Sequence, residues 1–350
     1  MTTTPVWQGQ ANLTCLLRHE ETADCTRFEF AAPAGIHIDF LPGQFICLGG
    51  LIENQLKLRA YSIASDPAVQ DRVSVAIRRV PGGQVSNWLI DHVQPGSQVP
   101  ALSPAGSFHL TPAHHLDVAS PRHVALFSAG CGITPMVAMS HWLLAHRPDV
   151  EIHFIHSARD ENNLILHAEV HQLVARHPGF HLHHFLTRPQ TDRPCHVGRI
   201  DAARIREILP AATPIEAYLC GPQPYMDLIA DTLRAMGIAD HAIHSESFFT
   251  PQAPVAASGE AAASYALNVP AFGSQNQIDS TETLLDVLER AGLPIIGACR
   301  TGVCGSCRCK VSQGEVHRTQ TGPLSPEDQQ AGYVLACSTH ARSDLTLELG

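Results

Sequence analysis

Four of the chain's eleven cysteines fall within twelve residues, CRTGVCGSCRCK, beginning at Cys299. Cys299, Cys304 and Cys307 have the spacing C-x4-C-x2-C, and Cys337, in YVLACSTH, follows after 29 further residues. That spacing suits a [2Fe–2S] cluster. Two irons need four thiolates, and three can come from one loop if small residues let its amides approach the sulfides. Gly302, Gly305 and Ser306 are such residues, and amide hydrogen bonds of this kind tune a cluster's potential. The fourth thiolate must come from elsewhere in the fold. Zinc sites more often pair two C-x2–4-C knuckles, whereas Cys337 stands alone. A thioredoxin-like pair would sit at a strand–helix junction of a βαβ unit. Cys299, Cys304, Cys307 and Cys337 are therefore expected as ligands and Cys309 as a spare thiol. Cys15, Cys25, Cys47 and Cys195 read as ordinary small hydrophobes.

Four further stretches could help to hold nucleotides. In LRAYSIAS, Arg59, Tyr61 and Ser62 form R-x-Y-S. An Arg can pair with a pyrophosphate, a Tyr ring can stack on a flavin, and a Ser hydroxyl can hydrogen-bond the flavin N5 edge. The motif is short, and a barrel strand could carry it by chance. It gains force from AIRRVPGGQVSNWL, where Gly82, Gly83 and Ser86 open a helical segment; a glycine-rich turn into a helix N-terminus attracts phosphate. Later, LFSAGCGITPM places Gly130, Gly132, Thr134 and Pro135 between a strand and a helix. Such glycines would let a pyrophosphate reach the backbone, and Pro135 suits a first helical turn. The order is not G-x-G-x-x-G, and a plain tight turn is the competing reading. YLCGPQPYMD puts Cys220, Gly221, Pro222 and Pro224 at another strand end. Ligands of open α/β sheets collect at strand carboxyl ends, so both turns can face one crevice.

The elements that must position these residues divide the chain. At 350 residues it is too long for one ordinary core. Residues 8–115 alternate in short pieces broken by Pro and Gly, which predicts a small antiparallel barrel. Residues 120–249 alternate apolar strands with helical patterns, which predicts a parallel sheet wrapped by helices. Residues 250–264 read as a linker rich in Ala, Ser and Pro. Residues 265–350 read as an α+β unit with one amphipathic helix in TETLLDVLERAG, where Leu284 and Leu288 share a face and Gly292 ends the pattern. A formal charge of −10 counts against a nucleic-acid binder. The N-terminus lacks a basic start and an apolar run, so the cytoplasm is expected, where thiols stay reduced and clustered cysteines bind metal. The 22 histidines are scattered, and a solvated or packing role is expected for them.

The order of R-x-Y-S, GCGITP, CGP and the C-terminal cysteine unit resembles the ferredoxin–NADP reductase superfamily, in its branch with a fused plant-type ferredoxin. LRAYSIAS, AGCGITPM, CGPQPYMD, SESFFTP, CRTGVCGSC and GYVLACS carry the resemblance across nearly the whole chain. It implies an antiparallel β-barrel flavin domain, an α/β nicotinamide domain and a β-grasp ferredoxin domain. Arg59, Ala60, Tyr61 and Ser62 would hold the flavin, with Ser62 near N5. Ala76, Ile77 and Arg78, then Gly83, Val85 and Ser86, would line its ribityl–phosphate side. Thr134 would sit near flavin and nicotinamide, flanked by Cys220 and Glu246, with Gly130, Gly132, Pro135, Gly221 and Pro222 shaping the dinucleotide turns. Phe248 or Phe249 could shield the flavin. Ser157 and Arg159 fall where the adenosine ribose would bind; Arg159 could meet a 2′-phosphate and Asp160 a 2′-hydroxyl, while the resemblance points to NADH. GCGITP in place of the GGIGITP of FMN-using relatives favours FAD.

The implied activity passes electrons from NADH through FAD and [2Fe–2S] to a protein acceptor, expected to be a hybrid-cluster protein. A Rieske-type oxygenase, for example one demethylating a betaine, is the alternative acceptor; a non-catalytic redox subunit is the alternative role. Arg300, Arg308 and Lys310 beside the cluster predict docking to a partner with acidic residues around its own cofactor.

Overall fold

The computed structural model describes residues 5–111, 122–192, 194–211, 214–248 and 263–349. The expected linker, apart from its last two residues, and Phe249 lie outside these. The chain divides into two compact units, residues 1–46 with 61–249, and residues 47–60 with 250–350.

Six strands form the first sheet: β1 (Gln10–Thr22), β2 (Cys25–Ala31), β3 (Phe45–Ile52), β4 (Gln55–Ser62), β5 (Arg72–Arg78) and β6 (Gln98–Ala105). On β2, Phe28 and Phe30 are buried while the alternating Arg27 and Glu29 are not, the two-residue alternation of a sheet with one wet face. Antiparallel pairing joins β2 to β1 and β5, and β1 to β6. After β5, a turn with Gly82 at φ 70° leads into helix α1 (Gln84–His92).

The nicotinamide-type half of this unit alternates strand and helix. Its elements are β7 (His123–Ala129), α2 (Ile133–His146), β8 (Glu151–Ala158), α3 (His167–Arg176), β9 (Phe180–Leu186), β10 (His196–Val197), α4 (Ala202–Ile208), β11 (Ile215–Cys220), α5 (Gln223–Ala235) and β12 (Ile243–Glu246). The strands are all parallel, in the order β10-β9-β8-β7-β11-β12. Successive residues of β7 feed two cores. Val124 and Leu126 join one with Met136, Trp142 and Val170; Ala125 and Phe127 join another with Ile205, Met226 and Ile229. Helices therefore cover both faces, which is why the strands read as continuous apolar runs.

The second unit contains β13 (Ser264–Val269), β14 (Ser274–Asp279), α6 (Leu284–Arg290), β15 (Arg308–Gln313), β16 (Val316–Arg318), α7 (Pro326–Gln330), β17 (Tyr333–Leu335), β18 (Thr339–Ala341) and β19 (Leu345–Glu348). Five of these strands form a mixed sheet ordered β14-β13-β19-β15-β17, and β16 pairs with β18. A helix folded against such a sheet is the β-grasp arrangement. Thr283 and Asp286 make a reciprocal capping box that starts α6, and Leu284 and Leu288 are both buried. Among the described residues no helix is long and apolar enough to cross a membrane.

Candidate redox centre

The cysteine loop is built from turns. Gly302 and Gly305 have φ of 78° and 77°, and Arg300 has φ 59°. A Cβ on Gly302 would lie 2.7 Å from Gln320 Cβ and 3.0 Å from Ser338 Oγ, so glycine is required for both conformation and room. The fourth cysteine arrives after β17. The amide of Ala336 donates to the Cys307 carbonyl at 3.0 Å, and that of Cys337 approaches Cys307 Sγ at 3.5 Å. The Thr301 amide points at Cys299 Sγ at 3.4 Å, and Ser306 Oγ lies 3.1 Å from Cys304 Sγ. Cys299 interacts with both Cys304 and Cys337, and Cys307 with Cys337. Four sulfurs brought together with backbone N–H groups aimed at two of them fit a [2Fe–2S] centre. Cys309 faces away, packed in the core of this unit with Leu267 and Val334, and burial pushes its thiol up to about 12. Cys47 is less ordinary than its sequence suggests, because its thiol touches Cys304.

The three cations beside this loop are each matched. Arg300 pairs with Asp286 at 3.5 Å and with Glu289. Arg308 meets Asp328 at 2.5 Å and lies 3.6 Å above the Tyr333 ring, and Lys310 meets Glu348 at 3.3 Å. The rim that these three cations form is therefore mixed in charge. The acids come from α6, α7 and β19, which the fold brings alongside although they are distant in sequence.

In the first unit, Ser62 is buried at the end of β4, and Ile63 bridges Val75 on β5. Ala76, Ile77 and Arg78 continue along β5, and the Gly83 amide closes a turn onto the Val80 carbonyl at 2.8 Å. Gly83 caps α1 with no side-chain acceptor, and Val85 and Ser86 are buried in its first turn. A glycine-rich turn into a helix N-terminus of this kind attracts a phosphate. Arg78 pairs with Asp24 at 3.3 Å, and its guanidinium would lie 3.0 Å from a Cβ on Gly130. Gly130 has φ 56°, so the flavin-type strand and the dinucleotide turn meet at a residue that must be glycine. Arg59 belongs to the second unit, where it donates to the carbonyls of Leu58 at 2.7 Å and Gly297 at 3.3 Å.

The crevice residues are aligned by parallel register. Ser128 lies level with Cys220, Cys220 with Glu246, and Ala129 with Ser157. The carboxyl ends of β7, β8, β11 and β12 therefore open at one level, the expected place for a dinucleotide. A Cβ on Gly132 would lie 2.0 Å from the Cys220 carbonyl oxygen, so the two turns interlock. Gly221 packs on Tyr225 and Ala129 in the same way, with Pro222 capping α5. Thr134 Oγ1 donates to the Cys131 carbonyl at 2.9 Å, and Pro135 lies in the first turn of α2 as expected. Burial pushes the Cys220 thiol up, with Glu246 adding to the effect. Glu246 has a buried carboxylate oxygen with no hydrogen-bond partner, and desolvation raises it to about 8. An orphaned carboxyl at a strand-end crevice fits a ligand that would partner it. Arg159 is exposed, whereas Asp160 accepts from Asn162 and Asn163 in a tight turn. Phe248 is exposed. Sequence reasoning missed Cys131, which meets Cys25 of β2; Cys131 and then burial push the Cys25 thiol up.

Comparison with known proteins agrees with this geometry. Residues 13–110 match an oxidoreductase FAD-binding domain, 126–231 an oxidoreductase NAD-binding domain, and 272–342 a 2Fe-2S iron-sulfur cluster binding domain. The glycine betaine monooxygenase reductase subunit of Chromohalobacter salexigens is 31% identical over 99% of this chain and 97% of its own. The chain belongs to the ferredoxin–NADP reductase superfamily, in the branch with a fused [2Fe–2S] domain. NADH oxidoreductase HCR of Escherichia coli is 31% identical over 83% of each chain. The structure of phthalate dioxygenase reductase aligns with a TM-score of 0.64 at 22% identity, covering 97% of this chain and 98% of that one. This member of the superfamily is an oxidoreductase that carries electrons from NAD(H) through FAD to a [2Fe–2S] cluster.

Proposed function

We propose that this chain is the NADH-dependent reductase component of an oxygenase. The likeness to an oxygenase reductase subunit over 99% of the chain carries the reading. When bound, the flavin converts a two-electron hydride donor into a source of single electrons for the cluster. The protein's own residues bind and orient. Arg59, Ala60, Tyr61 and Ser62 would hold the flavin ring, with Ser62 as a hydrogen-bonding hydroxyl; Ala76, Ile77, Arg78, Gly83, Val85 and Ser86 would line its phosphate side. Gly130, Gly132 and Pro135, with Gly221 and Pro222, cradle the dinucleotide, and Ser157 and Arg159 receive its adenosine ribose. Thr134, Cys220 and Glu246 would bracket the nicotinamide and help to orient it. No proton needs to move between side chains, so positioning is the protein's main contribution. Cys299, Cys304, Cys307 and Cys337 ligate the cluster. The acceptor docks at the mixed-charge rim around Arg300, Arg308 and Lys310.

The test is NADH-driven reduction of two purified acceptors at low concentration, a Rieske-type oxygenase component and a hybrid-cluster protein. Faster reduction of the oxygenase is expected. Faster reduction of the hybrid-cluster protein would replace the acceptor while leaving the electron path intact. Failure of the isolated chain to reduce ferricyanide with NADH would overturn the assignment as a reductase.

A further inference from the structure

The histidines hold a site that the electron path does not use. His167 and His171 are one helical turn apart on α3, so both rings project from one face. His184 lies on β9 beneath that helix. Ring centroids are 4.2 Å apart for His167 and His171, 5.6 Å for His167 and His184, and 5.9 Å for His171 and His184. One nitrogen from each ring lies within 4.8 Å of the other two. We propose that His167, His171 and His184 form a binding site for a late first-row divalent cation, zinc foremost.

The chemistry of the donors narrows the ion. Imidazole nitrogen suits Zn, Cu and Ni, whereas Mg and Ca want oxygen. The group contains three histidines and no carboxylate. Glu169 sits between the two helical histidines in sequence, but its oxygens take His141 at 2.8 Å and Arg27 at 3.4 Å. Among the described residues, the group therefore offers a hard cation no carboxylate. Tetrahedral zinc with Zn–N bonds of about 2.0–2.1 Å holds its nitrogens about 3.3 Å apart. The three nitrogens, now within 4.8 Å of one another, must draw closer when the ion binds. His171 is exposed and the other two are half-buried, so an ion can enter from solvent and keep one position for water.

A fourth imidazole supports the site from below. His156 of β8 is level with His184 and meets it edge-on at 6.2 Å. Its Nδ1 lies 2.8 Å from Ser128 Oγ, while its buried Nε2 has no protein partner. Four histidines gathered at one corner of a sheet, one fully buried, are costly unless neutral, and neutral imidazole is the form that binds metal. A bound ion would tie α3 to the sheet and stabilise the fold in proportion to its occupancy.

The experiment uses the untagged full-length chain with its flavin and cluster in place, titrated with Co2+ and then with Zn2+. One Co2+ per chain is expected, with visible bands of nitrogen ligation, no near-ultraviolet thiolate band, and displacement by Zn2+. His171→Gln, made on the exposed ring, and His184→Asn, made from the strand side, should each weaken binding more than about tenfold, since even outer-shell changes cost that much. Flavin and cluster absorbance checks that both variants fold. Zinc should raise the melting temperature of the wild type and leave His171→Gln unmoved. A thiolate band, or wild-type affinity in either variant, would overturn the proposal.

Discussion

The proposed cluster loop and dinucleotide crevice are assembled by opposite means. The loop gathers three of its four sulfurs from nine consecutive residues, Cys299 to Cys307, bent by left-handed glycines and fixed by amides that point inward. The crevice gathers Ser128, Ser157, Cys220 and Glu246 from four strands, and only parallel register brings them level. A site written in consecutive residues depends on local conformation and on the identity of each ligand. A site written in register depends on how closely its turns can pack. Substitutions should therefore fail differently in the two places.

The largest effect is expected at the loop. Cys299→Ser should abolish the cluster's visible absorbance and electron delivery to a protein acceptor, while NADH still bleaches the flavin in stopped flow. Cys309→Ser is the control from the same twelve residues. Cys309 is 1% exposed, so a hydroxyl there should cost about 1–3 kcal/mol of stability in a denaturant melt. The cluster should nevertheless form. Loss of the cluster in Cys309→Ser with retention in Cys299→Ser would reverse the assignment of ligand and bystander.

An intermediate effect is expected where the crevice turns interlock. In Gly132→Ala the new methyl would sit 2.0 Å from the Cys220 carbonyl oxygen. Backbone cannot yield as a flexible side chain does, so a loss of about 1–3 kcal/mol is expected. NADH affinity should fall with it while cluster absorbance stays. If chemical denaturation and NADH titration both match the wild type, the two turns are not packed as described.

How much of each site could be read beforehand follows from the same contrast. The cysteine spacing, R-x-Y-S and GCGITP lie within short windows, and so does the TETLLDVLERAG helix with its capping residues. The order of barrel, parallel-sheet and α+β regions is expected from hydrophobic periodicity. What could not be read lies across elements. Cys131 against Cys25 joins a turn to a barrel strand 106 residues earlier in the chain, and no local pattern marks it. Arg300, Arg308 and Lys310 looked like a cationic face because Asp286, Glu289, Asp328 and Glu348 are distant in sequence. The histidines divide in the same way. Scattered along the chain, they suggest only packing or solvated roles, and only the fold brings the ring of His184 to those of His167 and His171.

The smallest effect should come from Glu246, and it is read as a slope. Desolvation raises its carboxyl from the ordinary 4.5 to about 8, so the folded chain holds a proton there that the unfolded chain releases. For a group raised in the folded state, the stabilisation is complete below the unfolded value and is lost as pH climbs through the folded one. Melting temperature should therefore decline between pH 4.5 and about 8 by more in the wild type than in Glu246→Gln, which cannot ionise. The same proton matters to the crevice: a neutral carboxyl can donate a hydrogen bond toward a bound nicotinamide, and an ionised one only accepts. Flavin reduction by NADH should slow as pH rises through about 8 and lose that dependence in Glu246→Gln. Cluster absorbance should be indifferent to the substitution at every pH. Parallel pH profiles for the two proteins would mean that the crevice already satisfies this carboxyl, and that register alone does not set its charge.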